Sequence, residues 1–230
     1  MFQSRYVLPL GLVAIGLIGC DDDAEPTAEV RVLHLSPDAP AVDVVVDDAT
    51  PAAVTSLAYK SATPYLTLPA GPHDFSVRAA GTTTVALALN DLTLAEGQRY
   101  TAVAWGEGGV MPALIDDSLE GLAAGSLRVN VIHAADGVGQ VDVWNVPESG
   151  APTPLITDFD EGEQDQLDLP AAAYRVGIDV NDDASPDLLF QLPALPAGQV
   201  VDLFAVKDAD SVYLVALLES GGTATINPLP

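Results

Sequence analysis

Val30-Arg31-Val32-Leu33-His34-Leu35-Ser36-Pro37-Asp38-Ala39-Pro40-Ala41-Val42-Asp43-Val44 returns later in the chain as Val129-Asn130-Val131-Ile132-His133-Ala134-Ala135-Asp136-Gly137-Val138-Gly139-Gln140-Val141-Asp142-Val143. Each copy ends an apolar run on a histidine and, after a turn, sets an aspartate between two valines. Leu68-Pro69-Ala70 is matched in the same way by Leu169-Pro170-Ala171, and Ala95-Glu96-Gly97-Gln98 by Pro196-Ala197-Gly198-Gln199. Landmarks repeated in one order mark a duplicated unit, and such a repeat decides the fold before any motif is weighed.

Within each copy the period is two. Val42-Asp43-Val44, Phe75-Ser76-Val77-Arg78 and Tyr174-Arg175-Val176-Gly177-Ile178 alternate apolar with polar or small residues. Arg99 to Trp105 and Val200 to Val206 are rich in β-branched and aromatic residues. Short runs of this kind, separated by Pro-Ala-Gly and Glu-Gly turns, read as strands. The expected fold is all-β, two tandem antiparallel β-sandwich domains of immunoglobulin-like type. Residues 29–117 form the first domain and 126–220 the second, with a short linker between them and a Gly- and Pro-rich tail at 221–230.

The N-terminus reads as an export leader. Arg5 precedes an apolar run from Val7 to Ile18, too short to span a bilayer and ending in small residues. The run closes on Leu17-Ile18-Gly19-Cys20, which resembles the lipobox of bacterial lipoproteins, in which the cysteine sulfur is acylated and the chain is cut just before it. Residues 1–19 are then a signal peptide, Cys20 is the lipidation site, and 20–28 are an acidic tether beginning Asp21-Asp22-Asp23. The expected location is the cell envelope, with the membrane as a partner through the lipid. Several acyl chains hold a protein far more firmly than one, at ~0.8 kcal/mol for each buried CH₂.

Composition narrows the function. Lys and Arg number 8 against 33 Asp and Glu, a formal net charge of −25. Such a field repels phosphate backbones, so nucleic acid is excluded as a partner. Cys20 is the single cysteine, which leaves the folded part without disulfides, thiolate nucleophiles or cysteine-ligated zinc.

The phrase from Val32 to Val44 resembles the signature of the domain-of-unknown-function family 4397, a strand followed by His-Ala-Ser-Pro-Asp-Ala-Pro and Val-Asp-Val. Leu68-Pro69-Ala70-Gly71 and Leu94 to Ala104 resemble its later landmarks. The second copy departs from it, with Ala135-Asp136-Gly137-Val138-Gly139 in place of Ser-Pro-Asp-Ala-Pro. The resemblance implies a secreted or lipid-anchored protein, often with tandem copies, and it implies no activity.

Two groups of polar residues are candidate sites. His34 with Asp43, and His133 with Asp142, are expected to meet across a turn as structural pairs. Their rival reading, a hydrolase, needs a nucleophile as well, and no Gly-x-Ser-x-Gly elbow is present. Asp179, Asn181, Asp183, Ser185 and Asp187 place oxygens at alternate positions, as a calcium loop does. Ala184 and Phe190 stand where such a loop has its Gly and its bidentate Glu. Trp105 and Trp144 are expected to pack in the core or at an edge. The function expected is a non-enzymatic envelope lipoprotein serving as a binding, adhesion or scaffold module, with an envelope protein or glycan as partner. A calcium- or carbohydrate-binding surface protein is the alternative.

Overall fold

The computed structural model describes residues 25–50, 52–209 and 211–230, and its regular elements are all strands. Residues 1–19, expected to be a signal peptide, and Cys20 lie outside the described residues.

The first half carries nine strands: β1 Thr27–Leu35, β2 Val42–Val46, β3 Val54–Leu57, β4 Ser61–Ala62, β5 Leu66–Pro69, β6 Gly71–Ala79, β7 Val85–Leu94, β8 Arg99–Trp105 and β9 Met111–Asp116. The second carries β10 Ser126–Ala134, β11 Val141–Asn145, β12 Thr153–Phe159, β13 Gln164–Pro170, β14 Tyr174–Asp179, β15 Leu188–Leu192, β16 Val200–Asp208, β17 Ser211–Leu217 and β18 Thr223–Ile226. In the first half β4-β1-β8-β9 make one sheet, with β5 also on β1, and β3-β2-β6-β7 make the other. The second half repeats this order as β13-β10-β16-β17 and β12-β11-β14-β15, adding β18 at one edge. Each half is thus a sandwich of two sheets, as the sequence pattern predicts.

The sheets are not wholly antiparallel. β1 pairs with β8 in parallel, Val30 opposite Tyr100, and β10 pairs with β16 in parallel, Val129 opposite Val201. A parallel pair needs a long crossover, and here the crossover supplies the whole opposite sheet. The Val-x-Val alternation fixes strands but carries no sign of their direction.

Alternation also explains how the halves join. On β1, Ala28, Val30 and Val32 enter the first sandwich core with Val44, Phe75 and Leu94. Leu33 and Leu35, on the opposite face, pack with Val103, Trp105 and Ile115 against Ile132, Phe204, Val206, Val215 and Leu217 of the second half. The remaining faces of β10 and β16 build the second sandwich core, through Leu127, Val129, Val131, Val201 and Leu203. The molecule therefore stacks four sheets around three apolar cores. A sheet buried on both faces reads as a nearly continuous apolar run, which is why β10 and β16 lack the clean alternation of the outer strand β13.

All the strand directions place the His34 and His133 turns at one end, here the loop end. Residue Thr27, where β1 begins, lies at the opposite end, beside Pro69 and Gly97. Two of the sequence boundaries acquire contacts. Asp117, at the first domain's expected limit, is fully buried between the halves, and β18 in the expected tail pairs with β17.

Candidate functional site

His34 is the next-to-last residue of β1 and is fully buried. The Ser36 amide donates to its Nδ1 at 3.3 Å, so the ring proton sits on Nε2, which donates to the Pro40 carbonyl at 3.1 Å. Burial lowers the pKa of this ring despite those carbonyl contacts, which keeps it neutral. His133 repeats the arrangement, taking the Ala135 amide on Nδ1 at 3.4 Å and donating from Nε2 to the Gly139 carbonyl at 2.7 Å. Each histidine thus clasps the turn that follows it, with both nitrogens engaged.

The aspartates serve other turns. Asp43 accepts the amides of Ser56 at 2.8 Å and Gly81 at 2.9 Å, and these hold its carboxyl below the usual range. Asp142 accepts the Asp158 amide at 2.9 Å. The expected His–Asp hydrogen bonds, His34 with Asp43 and His133 with Asp142, are therefore not the ones made. The turn brings its own carbonyl to each ring first, while each aspartate ties its strand to the neighbouring chain.

The third histidine, His73, has Tyr174 at its equivalent position in the second half, and the two side chains hold the same kind of turn. His73 Nε2 reaches the Pro69 carbonyl at 2.8 Å, and the Tyr174 hydroxyl donates to the Pro170 carbonyl at 2.8 Å. His73 also contacts Asp47 through Nδ1 at 2.7 Å. Burial pulls its pKa down, but the Pro69 carbonyl and Asp47 outweigh that, leaving it above the ordinary value.

Of the five residues of the acidic loop, Asp179, Asn181 and Asp187 turn their side-chain oxygens onto the loop itself, and Asp183 and Ser185 join through their backbone amides. Asp179 takes the amides of Asn181 at 3.1 Å, Asp182 at 3.0 Å and Ser185 at 3.2 Å. Asp187 takes the Val180 amide at 2.9 Å and the Asn181 side chain at 3.1 Å, and the Asn181 oxygen accepts from Asp183. Burial would raise the Asp179 pKa, yet these amides hold it low. Among the described residues no group of three or more His, Cys, Asp or Glu could hold a metal ion. The alternation that suggests calcium here writes a run of Asx turns.

Loops of the two halves meet at the loop end. The Gly108 amide donates to Asp38 at 3.0 Å, and the Glu107 amide to Asp136 at 3.2 Å. Lys207 donates to the Asp136 carbonyl at 3.3 Å and lies 3.7 Å from Glu107. Gly106 makes this loop possible: its φ is +108°, and a Cβ there would fall 2.7 Å from the Gly109 oxygen. Trp105 is buried just beneath, with Gly162 of the second half against its ring.

Sequence reasoning missed the polar cluster within the joint. Arg31 donates to Thr101 at 2.7 Å and to Asp202 at 2.8 Å, and lies 3.3 Å from Asp117. Asn130 donates to Asp202 at 2.8 Å, and Tyr65 to Asp117 at 2.6 Å. Burial first, and then the neighbouring Asp117 charge, push the Asp202 carboxyl up despite Arg31. A signal was present: Arg31 and Asp202 are charges set inside apolar runs.

The family described as "Domain of unknown function (DUF4397)" matches residues 28–144. The chain belongs to DUF4397. The DUF4397 match runs from β1 through the second histidine turn, so it takes in both His34 and His133. No curated protein matches the chain in sequence. Among solved structures, a streptococcal virulence factor described in terms of alpha-glucan binding is similar at 16% identity, over 80% of this chain and 95% of that one, with a TM-score of 0.28. A CBM26-family module of Eubacterium rectale Amy13K, in complex with maltoheptaose, has 10% identity over 88% and 98%, at 0.28. The Bacillus anthracis TIE protein has 13% identity over 89% and 44%, at 0.24. Superpositions this loose carry no functional argument for the DUF4397 chain.

Proposed function

We propose that this DUF4397 protein is a non-enzymatic lipoprotein of the cell envelope, anchored through Cys20, that binds or scaffolds a partner with its loop end. One observation carries the reading: every landmark side chain there is spent on holding loops. His34 and His133 have both nitrogens engaged with backbone, Asp38 ties two loops of the first half together, and Asp136 ties the second half's loop to Glu107 of the first. A general base needs a free nitrogen aimed at a substrate. A binding face needs fixed loops on a rigid scaffold.

Chain direction supports the same orientation. The tether enters β1 at the end opposite the loops, so a lipid on Cys20 leaves the loop end facing away from the membrane. The partner is an envelope protein or a glycan.

Fractionation and capture test the two parts separately. The wild-type chain is expected in the membrane fraction with an acylated N-terminus by mass spectrometry, and Cys20→Ser in the soluble fraction. An unmodified N-terminus on wild type overturns the anchor. Photo-crosslinkers placed at Asp38 and Asp160, at the loop end, are expected to capture a partner from intact envelopes, whereas one at Glu148 on the far side is not. Capture at Glu148 alone overturns the loop-end reading.

A further inference from the structure

The two sandwiches share an architecture but not an interior. Between the sheets of the second half lies a cavity of about 170 Å³, walled by apolar side chains including Leu127, Leu167, Val201, Leu203 and Ile226. A space between the sheets of the first sandwich, lined by Val32, Val44 and Phe75, measures about 30 Å³.

Two differences between equivalent positions open the cavity. Tyr100 packs on the first core, and its equivalent is the smaller Val201. Leu94 is fully buried at the end of β7 and closes the first sandwich, whereas its equivalent Leu195 is only half-buried, in a loop. That follows from strand length, since β7 runs for 10 residues and β15 for 5 before Pro193 stops it. The sheet edge that seals one sandwich is missing from the other.

We infer that this cavity is a binding site for an alkyl chain, supplied by a fatty acid or a membrane lipid. An apolar void of this size stays dry, and engineered ones about as large take up a benzene-sized hydrocarbon. The lining offers branched aliphatic carbon and no charged side chain, which suits a saturated chain. It reaches the surface at Pro193 and Ala224, both exposed, so a polar head group stays in water while the chain is buried. That mouth lies at the end where β1 begins. Its facing the membrane rests on the lipid-anchored reading above, but the occupancy does not.

The test uses the whole mature chain carrying Cys20→Ser, free of any lipid of its own, so failure of the anchor leaves the result intact. N-phenyl-1-naphthylamine is the probe. Its fluorescence is expected to rise several-fold with one site per chain and to fall when decanoic acid is added. Val201→Phe, which refills the interior, and Ala224→Phe, which blocks the mouth, are each expected to weaken probe binding tenfold or more without lowering the melting temperature. Should Val201→Phe fail to fold, Ala224→Phe decides. Displacement by decanoic acid alone assigns a free fatty acid, and displacement also by dioctanoyl phosphatidylglycerol assigns a lipid. No rise in fluorescence, or an undiminished rise in the folded variants, overturns the site.

Discussion

The Arg31 guanidinium reaches across from the first half of the molecule to the Asp202 carboxylate of the second at 2.8 Å, with both side chains withdrawn from solvent. The two occupy related places: Arg31 faces Thr101 across the parallel pair of its half, and Asn130 faces Asp202 across the corresponding pair. Equivalent positions of the repeat thus meet at the joint, where one cation stands against two carboxylates.

Removing that cation leaves Asp117 and Asp202 buried without compensation. Arg31→Met, close in shape, is expected to lose about 3–5 kcal/mol of stability, the usual cost of breaking a buried pair from one side. Urea unfolding followed by tryptophan fluorescence measures it. Trp105 sits in the shared core, so its signal reports on the joint. A loss below about 1 kcal/mol would mean that water reaches the cluster.

Asp202 also sets a pH dependence. Its pKa in the folded chain is pushed up to about 7 by burial and by Asp117, against about 3.9 when unfolded. A raised value means that the folded state holds the proton more tightly. The stability from this group is complete below about pH 4 and drains away as the pH climbs through 7. The groups facing it are Arg31, Thr101, Asn130 and Asp117, and Tyr65 caps Asp117. Asp202→Asn removes the titration, so the stability of this variant relative to wild type is expected to rise between pH 4 and 7. Denaturation series across that range check it, and parallel curves would sink the assignment. The comparison is needed because Asp43 and Asp168, with lowered values, lose their stabilisation as pH falls and mask the trend in wild type alone.

What the sequence made legible follows from which physics is local. Strands, turns and the repeat are written in period-two alternation and in residues such as Gly97 and Gly198, and the two-sheet halves follow from them. The parallel pairing of β1 with β8, and the burial of both faces of β10, are choices made between distant segments. The Val-Asn-Val-Ile run hints at the second and is silent on the first. His34 and Asp43 stand out as a repeated pair, but a side chain bonds whatever polar group lies nearest, and a turn supplies backbone before it supplies another side chain. The joint cluster is visible only as misplaced charges, since nothing local says that Arg31 and Asp202 meet.

Separate roles for His34 and Asp43 make an energetic prediction. His34→Ala strands the Pro40 carbonyl and the Ser36 amide, at about 1–3 kcal/mol for an unsatisfied buried group. Asp43→Ala loosens the amides of Ser56 and Gly81. The two share no hydrogen-bond partner, so the double variant is expected to lose the sum of the single losses to within about 0.5 kcal/mol. A coupling well above that in a double-mutant cycle would restore a direct pair.

The acidic loop from Asp179 to Asp187 is held by the chain alone. Asp179 is almost fully buried and takes three amides, and Pro186 seats over Gly177, where a Cβ would fall 2.6 Å from it. A calcium ion would need six to eight oxygens turned inward, and the loop would have to give up those amides to supply them. The melting temperature is therefore expected to be the same with millimolar calcium as with chelator. Asp179→Ala is expected to lower it in both conditions alike, because the loss falls on the loop's own hydrogen bonds. A rise with calcium in wild type, absent from Asp179→Ala, would show that the loop reopens around the ion.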